Sequence, residues 1–136
     1  MFQKISLRTT ARQELVNVTD QVKAIVTASG VQSGMCYVYN PHSTAGLTVN
    51  SYLDPNTPKD IGFELDRLIP TRLDFFHAND TPSDAAAHVK IALTGIQQWF
   101  FVEDGKLVLG HSQGILFAEF DGPRNRELYV KVIADG

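Results

Sequence analysis

An α+β fold is predicted: a single domain over residues 1–136 with a twisted, mostly antiparallel β-sheet and about three helices. Three observations carry this. Apolar and polar residues alternate with a period of two through most segments, a few segments place apolar residues at helical spacing behind capping signals, and no repeat, low-complexity tract or linker divides the chain.

Taken in order, Phe2, Ile5 and Leu7 sit among polar residues as in a half-buried first strand. Leu15, Val16 and Val18 mark a second, so a hairpin is expected to open the fold. Asp20 reads as the cap of a helix carrying Val22, Ile25 and Val26 on one stripe and ending at Gly30. Residues 35–39 are rich in strand formers, and 47–49 continue as a strand after a loop holding His42. Two later helix starts share one grammar, Thr57-Pro58-Lys59-Asp60 and Thr81-Pro82-Ser83-Asp84: a Thr N-cap, proline at the first helical position, a carboxylate at the third. Behind the first, Ile61, Leu65, Leu68 and Ile69 form one apolar face that Pro70 cuts short. Behind the second, Ala85, His88, Val89 and Ala92 share a stripe, with Asp84 one turn before His88. Strands at 98–102, 106–109, 115–121 and 127–133 complete the chain, with a turn at Glu103-Asp104-Gly105.

The chain has 136 residues and 43% hydrophobic content, enough for one real core. A net charge of −3 and only 12 Lys+Arg, without a basic run, argue against a nucleic-acid partner held through phosphates. Cys36 is the only cysteine, which excludes an intramolecular disulfide and a thiolate zinc site. The opening Met-Phe-Gln-Lys-Ile-Ser-Leu-Arg lacks the basic-then-apolar pattern of a secretion signal, and no apolar run approaches ~18 residues, so a cytoplasmic protein without a membrane partner is expected.

The chemistry-bearing residues fall in a few runs. His42-Ser43-Thr44 opens a loop between strands, a place where sites concentrate, although a histidine there also serves simply to stabilise a turn. His77, Asp80, Asp84 and His88 follow the spacing His-x-x-Asp-x-x-x-Asp-x-x-x-His. Two imidazoles and two carboxylates at that density can form a site for Zn, Mn or Mg, and Asp84 at i−4 can orient and charge His88. The plainer alternative is an acidic helix cap with solvated histidines, or a satisfied core histidine at 88. Glu119 and Asp121 point to one face of a strand that Gly122-Pro123 ends, and Arg124 and Arg126 follow as an alternating pair. Two guanidiniums can fork onto a phosphate or pyrophosphate; they can equally make surface ion pairs with Glu119 and Glu127. His111, between Gly110 and Gly114, reads as loop. Phe75-Phe76 and Trp99-Phe100-Phe101 read as core or subunit-interface anchors.

Several of these runs occur together in one order: His42-Ser43-Thr44-Ala45-Gly46-Leu47-Thr48-Val49-Asn50, Asp54-Pro55, Asp60, His77 with Asp80, Asp84 through His88 to Lys90, Gly95, Gly105-Lys106-Leu107 to Leu109-Gly110, Gln113-Gly114-Ile115, and Glu119 to Arg126. In that order the chain resembles the YjbQ-like secondary thiamine-phosphate synthase family nearly end to end. The resemblance implies an antiparallel-rich α+β domain, a homotrimer with polar pockets at subunit contacts, and a weak thiamine-phosphate synthase activity. Two departures stand out. Ser51 occupies a position where the family commonly has Glu, and His111-Ser112-Gln113 stands where it often has Thr-Trp-Gln.

The implied reaction joins a pyrimidine diphosphate to a thiazole phosphate with loss of pyrophosphate, which calls for charge stabilisation on the leaving group more than for a strong base. His77, Asp84 and His88 are the expected catalytic residues. His42, Ser43, Thr44, Asn50, Lys90, Glu119, Arg124 and Arg126 are expected to bind a phosphorylated small-molecule substrate. A divalent metal, Mg or Zn, is the expected cofactor, with His42, His77 and His88 as ligands. The competing expectations are a metal-dependent hydrolase using the same residues and a non-catalytic trimeric binder of a small anionic metabolite. Convergence of His42, His77 and His88 is the observation that would tie them to one site.

Overall fold

The computed structural model describes residues 1–136 as one α+β unit with elements β1 (Gln3–Arg8), β2 (Glu14–Asn17), α1 (Thr19–Ser29), β3 (Gly34–Tyr39), β4 (Ala45–Ser51), α2 (Asn56–Leu68), α3 (Pro82–Thr94), β5 (Gln97–Glu103), β6 (Lys106–Leu107), β7 (Gln113–Glu119) and β8 (Asn125–Ala134). The three helices and the antiparallel pairing match the predicted class. The strands form two sheets rather than one: β1-β8-β3-β5-β6 and β2-β7-β4. The expected opening hairpin is therefore absent. β1 pairs with β8 and β2 with β7, because the intervening residues cross between sheets and Thr9 N–H bonds the Arg124 carbonyl at 2.9 Å.

One apolar cluster fills the space between the sheets. Cys36, Val38, Phe100, Leu128 and Val130 come from the larger sheet, Leu47, Ile115 and Phe117 from the smaller, and Val22 and Val26 from α1. Burial pushes the Cys36 thiol up to about 11, so it behaves as a small apolar group. β7 is buried on both faces, which is why Ile115-Leu116-Phe117-Ala118 runs apolar without alternation. Its second face meets Leu65 of α2 and Ala87 of α3 in a smaller cluster with Phe120. On the outer face of the larger sheet, Tyr37, Tyr39, Trp99 and Phe101 are each about half exposed, while Phe100 between the last two points into the core.

Helix ends follow the expected chemistry only in part. Gly30 closes α1 in the left-handed region at φ 70°. At the other end Asn17, not Asp20, does the capping work: its Oδ1 accepts the Thr19 N–H at 3.0 Å. α2 begins at Asn56, ahead of the expected Thr57 cap, after an Asp54 turn whose carboxylate accepts the Asn56 N–H at 2.9 Å. Its inward face keeps Leu65 and Ile69 but leaves Leu68 60% exposed. α3 starts as expected, with Thr81 Oγ1 accepting the Asp84 N–H at 3.1 Å and Pro82 following. The face it buries, however, is Ala85, Ala86, Ala87 and Lys90, and the expected Val89 and Ala92 lie outward. Alanines let α3 sit close to β4 and β7, so the small residues chose the packed side over the period.

Candidate functional site

The chain reversal at the end of β7 and the start of β8, the end of β1 and the N-terminus of α3 meet at one polar locus. The Thr81 cap fixes the first turn of α3 and turns Asp84 away from the backbone. The carboxylate does not close a capping box; it faces two imidazoles. His77 Nε2 lies 2.9 Å and His88 Nε2 3.1 Å from Asp84 Oδ2, and the two rings cross at 76° with centroids 5.3 Å apart. Asp80 stands 3.3 Å from His77 Nε2. Burial pushes the Asp84 carboxyl up, but the hydrogen bonds and charge of His77 and His88 outweigh it and hold the group below the ordinary carboxylate range. The histidine side chains remain 41% and 39% exposed, so the locus opens to solvent.

Arg124 borders this triad. Its guanidinium pairs with Asp121, its Nε–H donates to the Asp121 carbonyl at 2.7 Å, and its terminal nitrogen lies 3.8 Å from Asp84 Oδ1. Its backbone N–H donates to Thr9 Oγ1 at 2.8 Å. With its side chain 47% exposed, it can still turn a donor to an anion.

Arg126 does something different. It is 4% exposed and grips Glu119 through Nε–H at 2.9 Å and a terminal nitrogen at 2.5 Å, while donating to Thr44 Oγ1 at 2.9 Å. Glu119 also accepts from Thr9 Oγ1 at 2.7 Å and from the Asp121 N–H at 3.2 Å. Burial raises the Glu119 carboxyl, and its bonds to Arg126, Thr9 and Asp121 more than reverse that. Arg126, Glu119 and Thr44 thus form a buried internal network beneath the locus, in which Nε and one terminal nitrogen of Arg126 are committed to Glu119 and Thr44. The ion pair holds most of the groups expected to meet a phosphate, with Glu119 at 0% and Arg126 at 4% exposure.

Three further expectations change. His42 stands apart from the other histidines: its Nε2 accepts the Glu127 N–H at 2.9 Å and its ring meets Phe117 edge-on. Burial and then the Arg126 charge push its pKa down, in keeping with an unprotonated acceptor nitrogen that a metal cannot share. Lys90 is fully buried, with Nζ 2.5 Å from Asp66 and 2.7 Å from Gln13 Oε1, so it staples α3 to α2 and to the residue just before β2. Asn50 lies at the far end of β4, opposite Gly114, five residues and roughly 16 Å along the strand from Ala45. Ser43 is exposed beside the locus's buried floor and makes no side-chain hydrogen bond.

Thr9 and Asn40 escaped the sequence reading. Fully buried Asn40 holds the His42 loop by donating to the Ala45 carbonyl and accepting the His42 N–H at 3.2 Å. Neither residue type carries a motif; only a buried position in a loop distinguishes them. The two departures from the family pattern meet one another, since Ser51 pairs with Gln113 and the Tyr52 N–H donates to the Ser112 carbonyl at 3.2 Å. They lie at the end of β4 and β7 away from Asp84. The largest cleft, about 520 Å³ and lined by Gln13, Tyr52, Lys59 and Phe63 among others, contains none of the triad. Clustered titratable groups mark function more directly than volume, so the triad is the stronger candidate.

Comparison with known proteins gives one consistent answer. The sequence profile described as "UPF0047 protein YjbQ-like" matches residues 3–135. The chain is 43% identical over 135 residues to the UPF0047 protein MJ1081 of Methanocaldococcus jannaschii, covering 99% of this chain and 96% of that one. It is 38% identical to the UPF0047 protein YugU of Bacillus subtilis, covering 98% and 99%. Among solved structures, a YjbQ/UPF0047 protein of Clostridium acetobutylicum superimposes with a TM-score of 0.91 at 42% identity, covering 96% and 99%. A protein of unknown function from Sulfolobus solfataricus does so with 0.93 at 32%, covering 99% and 97%.

Proposed function

The chain belongs to the YjbQ-like UPF0047 family, and from that premise we propose that it is a small-molecule enzyme that handles a phosphorylated substrate at His77, Asp84, His88 and Arg124. The observation that carries this reading is the convergence of two imidazoles on one ionised carboxylate, with an arginine beside it, at a solvent-open surface. No structural need explains that convergence: a half-exposed histidine pair contributes little to stability.

The reaction that fits these groups best is the thiamine-phosphate synthase type. The thiazole nitrogen bonds to the pyrimidine's methylene carbon, the bond from that carbon to the diphosphate oxygen breaks, and pyrophosphate departs with the electron pair. Charge on the departing oxygens must be neutralised, and a protonated His77 or His88 together with Arg124 supplies it. Asp84 fixes both rings through its Oδ2. The buried Arg126–Glu119 pair and Thr9 keep the Arg124 segment in place.

The reading includes a homotrimer, in which a neighbouring subunit would close the open face of the site. Exposed Tyr37, Tyr39, Trp99 and Phe101 on one sheet face support assembly, because interfaces are rich in such side chains. Light scattering on the purified chain measures it. For the activity, purified protein given a pyrimidine diphosphate, a thiazole phosphate and Mg²⁺ is expected to form thiamine phosphate, with His88→Ala lowering kcat by about 10²–10⁴. A binder without catalysis would instead show ligand-induced thermal stabilisation and no product.

A further inference from the structure

We propose that His77, Asp84 and His88 form a site for a borderline divalent cation, Zn²⁺ or Co²⁺, in preference to Mg²⁺. The inference rests on the reading of this locus as the working site and puts the charge of a cation where that reading put a protonated imidazole.

Distances carry the argument. Nε2 of His77, Nε2 of His88 and Oδ2 of Asp84 lie within 4.8 Å of one another, with the two nitrogens 2.9 and 3.1 Å from the shared oxygen. Zinc bonds of about 2.0–2.1 Å at tetrahedral angles put neighbouring ligands about 3.3–3.4 Å apart, so the two nitrogen–oxygen separations need to open by only a few tenths of an ångström. The rings cross at 76° rather than stacking, which leaves both nitrogens free to aim at one point. In the ion-free chain each Nε2 carries a hydrogen toward Asp84; taking up the metal moves that hydrogen to Nδ1, and the half-exposed rings let solvent receive its bond.

The ligand set also fixes the metal class. Two imidazoles and a carboxylate suit zinc or cobalt, whereas magnesium takes oxygen donors and keeps its waters. Asp84 and His88 sit one turn apart on α3, and the Thr81 cap holds that turn before any ion arrives. Arg124, 3.8 Å from the other oxygen of Asp84, steadies the carboxylate from outside. Asp80, 3.3 Å from His77 Nε2, adds negative charge beside the same point. Three protein ligands leave a fourth position toward solvent, where a phosphate oxygen could bind.

The test is a Co²⁺ titration of the chelator-stripped protein followed by visible absorption, with Zn²⁺ and Mg²⁺ as competitors. We expect one Co²⁺ per chain, displaced by Zn²⁺ and untouched by a large excess of Mg²⁺. His88→Ala and Asp84→Asn should each weaken binding by at least about 100-fold, and His111→Ala should leave it unchanged. His77→Gln, outside the helix, serves if a variant of α3 loses its circular-dichroism signature. No saturable uptake, or uptake that survives His77→Gln and His88→Ala, overturns the proposal. Uptake without turnover leaves the cation site standing and removes the enzyme reading; full turnover in stripped protein removes the cation's role and keeps the enzyme.

Discussion

Replacing Arg126 with Met isolates the buried ion pair under the site. The methionine fills most of the arginine's volume, so the loss is electrostatic: Glu119, at 0% exposure, keeps only Thr9 and the Asp121 N–H as partners. Removing one member of a buried pair costs about 3–5 kcal/mol, because the other charge stays desolvated. For 136 residues at about 2.1 cal/mol/K each, the unfolding entropy is about 0.29 kcal/mol/K, so the midpoint should fall by roughly 10–17 °C. Calorimetry at pH 7 reads this directly. Adding Glu119→Leu removes the stranded charge, and the double variant should recover more than half of the loss. A drop below about 1 kcal/mol, or a double variant no better than the single, would show that Arg126 and Glu119 behave as a solvated surface pair and would refute the reasoning.

Other outcomes follow from the same structure. Thr81→Ala removes the α3 cap and should cost about 1 kcal/mol in denaturant unfolding, with activity falling too because Asp84 loses its anchored turn. Lys90→Met should destabilise by about 3–5 kcal/mol if the buried staple to Asp66 governs, discounted because Asp66 is 38% exposed; a change in KM with stability intact would instead return Lys90 to the substrate. Asp66, Asp84 and Glu119 all have carboxyls held below their ordinary range, so their stabilisation is complete above the unfolded carboxylate range and is lost as pH falls through the lower folded values. Unfolding midpoints should therefore hold from neutral pH to about 5 and then decline. Gly34→Ala should destabilise strongly, since its Cβ would stand 2.0 Å from the Ile133 carbonyl oxygen, a backbone atom that cannot step aside.

Local chemistry made most elements readable in advance. Gly30 and Thr81 end and begin helices as their residue types require, and alternation exposed the strands of the larger sheet. The sheet count was not readable, because β7 is buried on both faces and shows no period to separate one face from the other. At the site, the i, i+4 spacing on α3 brought Asp84 and His88 together predictably, and His77 joined them from the preceding loop. Arg124 and Arg126 looked equivalent as an alternating pair. Their fates diverged because β8 turns Arg126 inward against Glu119 while Arg124 stays in the loop at the edge. Pairing across 110 residues, as between Thr9 and Glu119, leaves no local trace at all.

The partnership of β1 with β8 also shapes how the molecule is made. A ribosome makes residues 9–124 between these two partners, so the earlier strand must wait, unpaired, through all of that synthesis before its neighbour emerges. During that interval Ile5 and Leu7 offer an apolar edge to any other nascent chain or to a chaperone. Slow decoding anywhere over residues 9–124 should therefore raise aggregation more than slow decoding after β8 has been made.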